Sequence, residues 1–203
     1  YTADVVILGG GSGGYACALR LAGLGRAVVL VEKNELGGTC LHRGCIPTKA
    51  LLHAAEVADH VRDGAKVGVV ADLTRIDMGA VNEYKDSVVT KLYKGLQGLV
   101  AARKINLVHG KGRLVGSEAV AVGNDRYWAP TIVLSIGSYA RTLPGIEIGG
   151  RIVTSDQALS LDTIPGKVVI LGGGVIGVEF ASVWASFGAE VTIVEALPRL
   201  LPS

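Results

Sequence analysis

The sequence predicts an α/β protein built from two related strand–helix–strand units, the second of them incomplete. A repeat carries the first half of that statement. The stretch Asp4-Val-Val-Ile-Leu-Gly-Gly-Gly-Ser-Gly-Gly14 returns as Val168-Val-Ile-Leu-Gly-Gly-Gly-Val-Ile-Gly177. Composition agrees with a packed fold: 49% of residues are hydrophobic and only 19% charged, too apolar for a disordered chain. The 29 glycines in 203 residues, about 14% against a usual ~7%, show no period of three and exclude collagen. The second half follows from the chain stopping soon after the second copy, where a complete domain needs more strands.

Each element has its own signal. In both copies a short apolar β-branched run precedes the glycines and reads as a buried strand. Ala18, Leu21 and Ala22 follow at helical spacing in the first copy, and Val178, Ala181 and Ala185 in the second. Gly25 and Gly188 suit helix C-termini. A second apolar strand then ends in Glu32 or Glu195. Between the copies, residues 37–45 read as a loop. A helix is expected to start near Pro47, since proline is tolerated in a first turn, and to run to about residue 64. A longer helix is expected from an Asp77 N-cap to about residue 103, with Val81, Val88, Leu92, Leu96 and Leu99 on one face. Residues 105–108, 119–122 and 131–136 read as strands, and 164–167 as a linker.

The glycines make a chemical statement. Gly9-x-Gly11-x-x-Gly14 follows a strand and opens a helix, and so does Gly172-x-Gly174-x-x-Gly177. The first glycine permits a tight turn. The second lets the backbone approach a pyrophosphate, and the third lets helix and strand pack closely. The phosphates then face the positive end of the helix dipole. Glu32 and Glu195 stand at the end of the following strand, each 23 residues past the first glycine, where a carboxylate accepts ribose hydroxyls. One fingerprint alone could be a glycine-rich turn. Two with the same strand context and acidic spacing imply two dinucleotides, one per Rossmann-like domain. Glu195 repels a 2′-phosphate, so the phosphate-free nicotinamide cofactor is expected there.

Cys40 and Cys45 flank Leu41-His-Arg-Gly44 just before the expected helix at Pro47. A helix N-terminus favours a thiolate, Arg43 and Lys49 add positive potential, and Cys45 stands nearer the helix. Two such thiols beside a two-electron carrier make a dithiol/disulfide couple. Two other readings stay open at this point: Cys40, His42 and Cys45 as metal ligands, although a fourth ligand and the usual spacing are missing, and inert buried cysteines. Cys17, among Ala16, Ala18 and Leu19, is expected to pack in the core.

These residues carry a resemblance. Gly37-Gly-Thr-Cys40-Leu-His-Arg-Gly-Cys45-Ile-Pro-Thr-Lys49 resembles the redox segment of the flavin-dependent pyridine nucleotide–disulfide oxidoreductases. With the continuation Ala50-Leu-Leu-His53 it is most similar to their dihydrolipoamide dehydrogenase branch. Residues 131–145, 154–158 and 172–179 resemble further segments of the same family. The resemblance implies a domain 1–150 binding FAD and carrying the disulfide, and the start of an NAD domain at 151–203. It also implies a C-terminal interface domain, with a catalytic His–Glu pair, that these 203 residues do not include.

The resemblance also assigns roles. FAD is expected on Gly9, Gly11, Ser12, Gly13 and Gly14, with Glu32 on its adenosine ribose, Gly38 and Thr39 near its phosphates, and Lys33, Gly37 and Cys40 among its further contacts. Gly112, Ile136, Gly137 and Ser138 are expected to touch it again. NAD is expected on Gly172, Gly173, Gly174, Val175, Ile176, Gly177, Glu179 and Glu195. Cys40, Cys45, Lys49 and Glu179 are the expected catalytic set, with Lys49 near the flavin and paired to Glu179. No metal is expected. The implied activity is oxidation of dihydrolipoamide on a lipoyl domain of a 2-oxo acid dehydrogenase complex, in a homodimer, in cytoplasm or mitochondrial matrix. Glutathione or mercuric reductase, a bare NAD-binding module and a fragment inactive by itself are the alternatives.

This sequence departs from the family pattern in three places. His42 and Arg43 replace the usual Asn-Val between the cysteines. Ser135-Ile136-Gly137 replaces Ala-Thr-Gly, and Ala140 replaces a proline. Other function classes find little support. A net charge of +2 without a basic block and 5% aromatics argue against nucleic acid and anionic membranes. No run of about 20 apolar residues is present, and the chain opens directly on a strand pattern, without the appearance of a signal peptide.

Overall fold

A computed structural model describes residues 1–201. The chain divides into two compact units, one of Tyr1–Cys45 and Val89–Arg141, the other of Ile46–Val88 and Thr142–Ser203. This division is discontinuous in sequence, whereas the sequence reading places one boundary near residue 150.

The first unit is a parallel sheet covered by an antiparallel one. Strands β1 (Val5–Leu8), β2 (Val28–Glu32), β3 (Asn106–His109) and β7 (Thr131–Leu134) lie in the order β3-β2-β1-β7, all parallel. Buried parallel strands read as unbroken apolar runs, and β2 is buried at every residue. Helix α1 (Ser12–Gly23) crosses between β1 and β2 and buries Gly14 and Ala18. Strands β4 (Gly112–Leu114), β5 (Ala119–Val122) and β6 (Asp125–Trp128) form the antiparallel sheet, and Val120 joins Val6, Val29 and Val31 in the core. The sequence reading misses β4 and β6, which are short and largely exposed; Gly123 and Asn124 turn the chain between β5 and β6.

Two expectations are corrected here. Residues 37–45 are not a plain loop: α2 (Gly38–Arg43) is a six-residue helix. Flanking glycines and a single buried apolar residue, Leu41, hide it from periodicity. Next, α3 (Cys45–Asp63) begins two residues before Pro47, so Cys45 is its first residue.

In the second unit, β8 (Lys167–Leu171) and β9 (Glu190–Val194) pair in parallel around α6 (Val175–Phe187), repeating the β1–α1–β2 arrangement. Phe180, Val183, Trp184 and Phe187 of α6 pack with Leu51 and Ala55 of α3, Met78 and Leu159. Leu159 follows the short helix α5 (Ser155–Ala158), which Thr154 and Gln157 close with a capping box. Helix α4 (Met78–Ala102) is divided between the units at Val88/Val89. Asp77 caps it as expected, Oδ1 accepting from the Ala80 N–H at 3.1 Å. The expected apolar face is wrong in part. Leu92 and Leu99 are 44% and 55% exposed, while Met78, Leu96, Val100 and even Lys85 are buried. Lys85 is tolerated because its ammonium donates to the Leu159 carbonyl at 2.7 Å, and Asn82 beside it donates to Leu161. No helix among the described residues is long and apolar enough to cross a membrane.

Candidate active site

The first fingerprint is a turn that only glycine can make. Gly9 has φ +104°, and a Cβ there would overlap the Ser135 carbonyl; a Cβ on Gly14 would overlap the Gly9 carbonyl. Gly11 is the N-cap of α1 in an extended conformation, with no side-chain cap. The first N–H groups of a helix have no partner within it, so this end presents donors to an anion. Gly38, with φ +61°, approaches so closely that a Cβ on it would stand 2.6 Å from the Gly11 Cα. Gly37 bridges to Gly11 in the same place. A glycine-lined, uncapped helix start fits a dinucleotide pyrophosphate. Ser12, Gly13, Lys33 and Thr39 are exposed around it, as are Ile136, Gly137 and Ser138 past the end of β7.

Glu32 is buried at the end of β2. Its Oε2 accepts from the Gly10 N–H at 2.7 Å and its Oε1 from the Asn34 N–H at 2.8 Å. A carboxylate oxygen accepts more than one bond, so both keep capacity for a ribose. Gly10 is one residue that the sequence reading leaves out. A Cβ on it would stand 3.0 Å from Leu36 and 3.1 Å from Glu32, and its N–H aims the carboxylate. The repeat carries the signal, since its counterpart Gly173 is among the residues expected on NAD. Ser135 was missed too: its Oγ would stand 2.9 Å from a Cβ on Gly13. Gly112 has a packing reason of its own, since a Cβ there would collide with Leu8 and crowd Val31 and Val120.

The cysteine segment is two helix ends joined by one glycine. Cys40 is half-buried on α2, and Cys45 is exposed at the N-terminal end of α3. A Cβ on Gly44 would stand 3.0 Å from the Thr39 carbonyl oxygen and 3.3 Å from the Cys40 Cα. The chain therefore folds back onto Cys40 at the residue before Cys45. Cys17 is half-buried on α1 rather than fully in the core. Among the described residues no group of three His, Cys, Asp or Glu side chains is placed to hold a metal ion.

The second unit holds the other expected residues. Gly172, with φ +108°, begins the second turn, and a Cβ on Gly177 would overlap the Gly172 carbonyl. Gly174 is the uncapped N-cap of α6, and Val175 and Ile176 are exposed beside it. Glu195 follows β9 and repeats the Glu32 bonds: Oε2 accepts from the Gly173 N–H at 2.6 Å, Oε1 from the Leu197 N–H at 2.8 Å. The backbone N–H groups of Gly173 first and Leu197 next, with a lesser part from Ala196, hold its carboxyl below its ordinary value against the opposing effect of burial. Lys49 of α3 and Glu179 of α6 form a close ion pair. Thus Gly9–Gly14, Glu32, Thr39, Cys40, Cys45, Gly112 and Ile136–Ser138 share the first unit, and Lys49, Glu179, the second fingerprint and Glu195 share the second.

Known proteins place this geometry. Residues 3–203 match the family described as pyridine nucleotide-disulphide oxidoreductase. The chain is 42% identical to the dihydrolipoyl dehydrogenase of Bacillus subtilis (strain 168), an alignment covering 98% of this chain and 45% of that protein. It is 39% identical to the dihydrolipoyl dehydrogenase of Staphylococcus aureus, covering 98% and 43%. The copper(II) complex of the HOCl-induced flavoprotein disulfide reductase RclA from Escherichia coli superposes with a TM-score of 0.78 at 32% identity, covering 100% of this chain and 44% of that one. The chain spans less than half the length of the relatives it matches. FAD and NAD(H) are the cofactors of this family.

Proposed function

The chain belongs to the pyridine nucleotide-disulphide oxidoreductase family, and from that premise we propose that the whole protein oxidises protein-bound dihydrolipoamide to lipoamide and reduces NAD⁺. The observation that carries this reading is the match over 98% of the chain to proteins named dihydrolipoyl dehydrogenase. The cysteine junction supports it. One thiolate of the substrate attacks Cys40 of a Cys40–Cys45 disulfide, forming a mixed disulfide and releasing Cys45 as thiolate. The second substrate thiol then displaces Cys40. Two thiols have become a disulfide, and the protein holds two thiols in exchange.

Gly9, Gly11, Gly14 and Glu32 would hold FAD, which when bound carries the electron pair on to NAD⁺. Gly172, Gly174, Gly177 and Glu195 would hold NAD⁺. Glu195, kept ionised by two backbone N–H groups, disfavours a 2′-phosphate and with it the NADPH-dependent reductases. Lys49 and Glu179 are the charge pair of this machinery. The proposed partners are a lipoyl domain of a 2-oxo acid dehydrogenase complex and a second copy of the chain, in cytoplasm or mitochondrial matrix.

The test is the visible spectrum of the whole protein, taken at rest, after anaerobic dihydrolipoamide and after NAD⁺. Flavin bands, a long-wavelength thiolate-to-flavin band and reoxidation by NAD⁺ are expected. Cys45→Ala should lose dithiol-driven reduction by at least about a thousandfold, because without Cys45 there is no Cys40–Cys45 disulfide for the dithiol to reduce. Unchanged reduction in that variant would sink the assignment.

A further inference from the structure

His42 departs from the usual residue between the two cysteines, and the structure gives it three anchors. Its side chain is only 13% exposed. Nε2 lies 2.9 Å from the Leu36 carbonyl oxygen, which can only accept, so the imidazole donates its Nε2–H there. The ring meets Tyr93 of α4 edge-on, with centroids 5.0 Å apart and planes at 75°. Nδ1 faces Glu35 at 3.7 Å. Leu36 is itself fully buried, and a Cβ on the adjoining Gly37 would collide with the Leu41 side chain. The loop before α2 and the helix α4 after it thus grip α2 at the residue two places past Cys40.

We propose that His42 is a positioning residue for the cysteine couple: its bond to Leu36 and its contact with Tyr93 hold α2, and with it Cys40, in the geometry that the Cys40–Cys45 disulfide needs. The role rests on those cysteines forming the redox couple. A disulfide between held sulfurs is favoured by the effective concentration of one thiol at the other. Loosening α2 lowers that concentration and shifts the couple toward the dithiol. No sulfur chemistry passes through His42 itself.

The experiment is the thiol–disulfide equilibrium of the whole FAD-loaded protein against a glutathione redox buffer, read by the flavin spectrum and by thiol alkylation. His42→Ala is expected to shift the equilibrium about tenfold toward the dithiol, which is ~30 mV in midpoint potential. His42→Gln places an amide N–H near the position of Nε2 and should stay within about threefold of wild type. A general loosening of the fold would not be rescued this way. An unshifted His42→Ala, or a His42→Gln shift as large as that of His42→Ala, overturns the proposal. Should His42→Ala lose its flavin, Tyr93→Leu carries the test, with a shift of about threefold in the same direction expected and no shift overturning it. A wild-type protein with no titratable couple overturns the redox role of Cys40 and Cys45 instead.

Discussion

The two glycine turns are nearly superimposable in their local bonding and unlike in what surrounds them. In each, the first glycine lies near φ +105°, the third packs its Cα against the first one's carbonyl, and an extended glycine opens the helix. In each, the middle glycine of the Gly-Gly-Gly run donates to a glutamate 22 residues on, whose other oxygen takes the N–H two residues further along. Around Gly9, however, stands a neighbouring strand, and Ser135 fills the space a side chain would need. Among the described residues nothing lies within 4 Å of that position at Gly172, in a unit of which the chain spans only the first strand–helix–strand. The first turn is flanked by Ser12 and Gly13, the second by exposed Val175 and Ile176. Shared bonding gives both turns the same glycine-lined, uncapped helix start; the surroundings set how much each residue of it can change.

That contrast can be broken by experiment. Gly9→Ala meets both backbone strain and the Ser135 carbonyl and should cost about 3–5 kcal/mol, whereas in this 203-residue chain Gly172→Ala meets, among the described residues, strain alone at about 1–3 kcal/mol. Urea unfolding of the two variants measures the gap, and equal losses would mean that the neighbouring strand adds nothing.

The glutamates come next. Glu32→Gln points an amide N–H₂ at a backbone N–H in a buried place, for an expected loss of about 1–3 kcal/mol. Glu195→Gln, more exposed, should lose less, and its loss should depend on pH. Its carboxyl is held below the ordinary range. The stabilisation is therefore complete above that range and fades as pH falls through the lowered value. The Tm difference between wild type and Glu195→Gln should shrink from about pH 6 to about pH 3, across the carboxylate range. A difference that grows on acidification would contradict the bonding described.

The smallest effects belong to the helix ends. Gly25 and Gly188 have φ of +78° and +101°, and among the described residues nothing lies within 4 Å of a Cβ at either. Alanine at either should cost about 1–2 kcal/mol, equally in both copies, because only local strain is at stake. Thermal unfolding of the pair would reveal any hidden difference between the two units.

What the sequence by itself reveals is local. The strand–glycine–helix turns, their glutamates, the Asp77 cap and the first-turn place of Pro47 all follow from residues a few positions apart, or from a repeat of such a pattern. The backbone freedom of glycine and the bonding of a cap are properties of short segments, so sequence carries them. Gly10 was legible in the same way, through Gly173, once the two copies are laid side by side. The packing that completes the site was not legible. The helix around Cys40 is too short to show a period, and its hold by His42 depends on Tyr93, far along the chain. Burial of Lys85 in place of Leu92 or Leu99 depends on a carbonyl 74 residues away. Gly112 is glycine because Leu8, Val31 and Val120 converge on it. Each of these is decided by which distant atoms occupy the same few ångströms, and spacing along a chain holds no record of that.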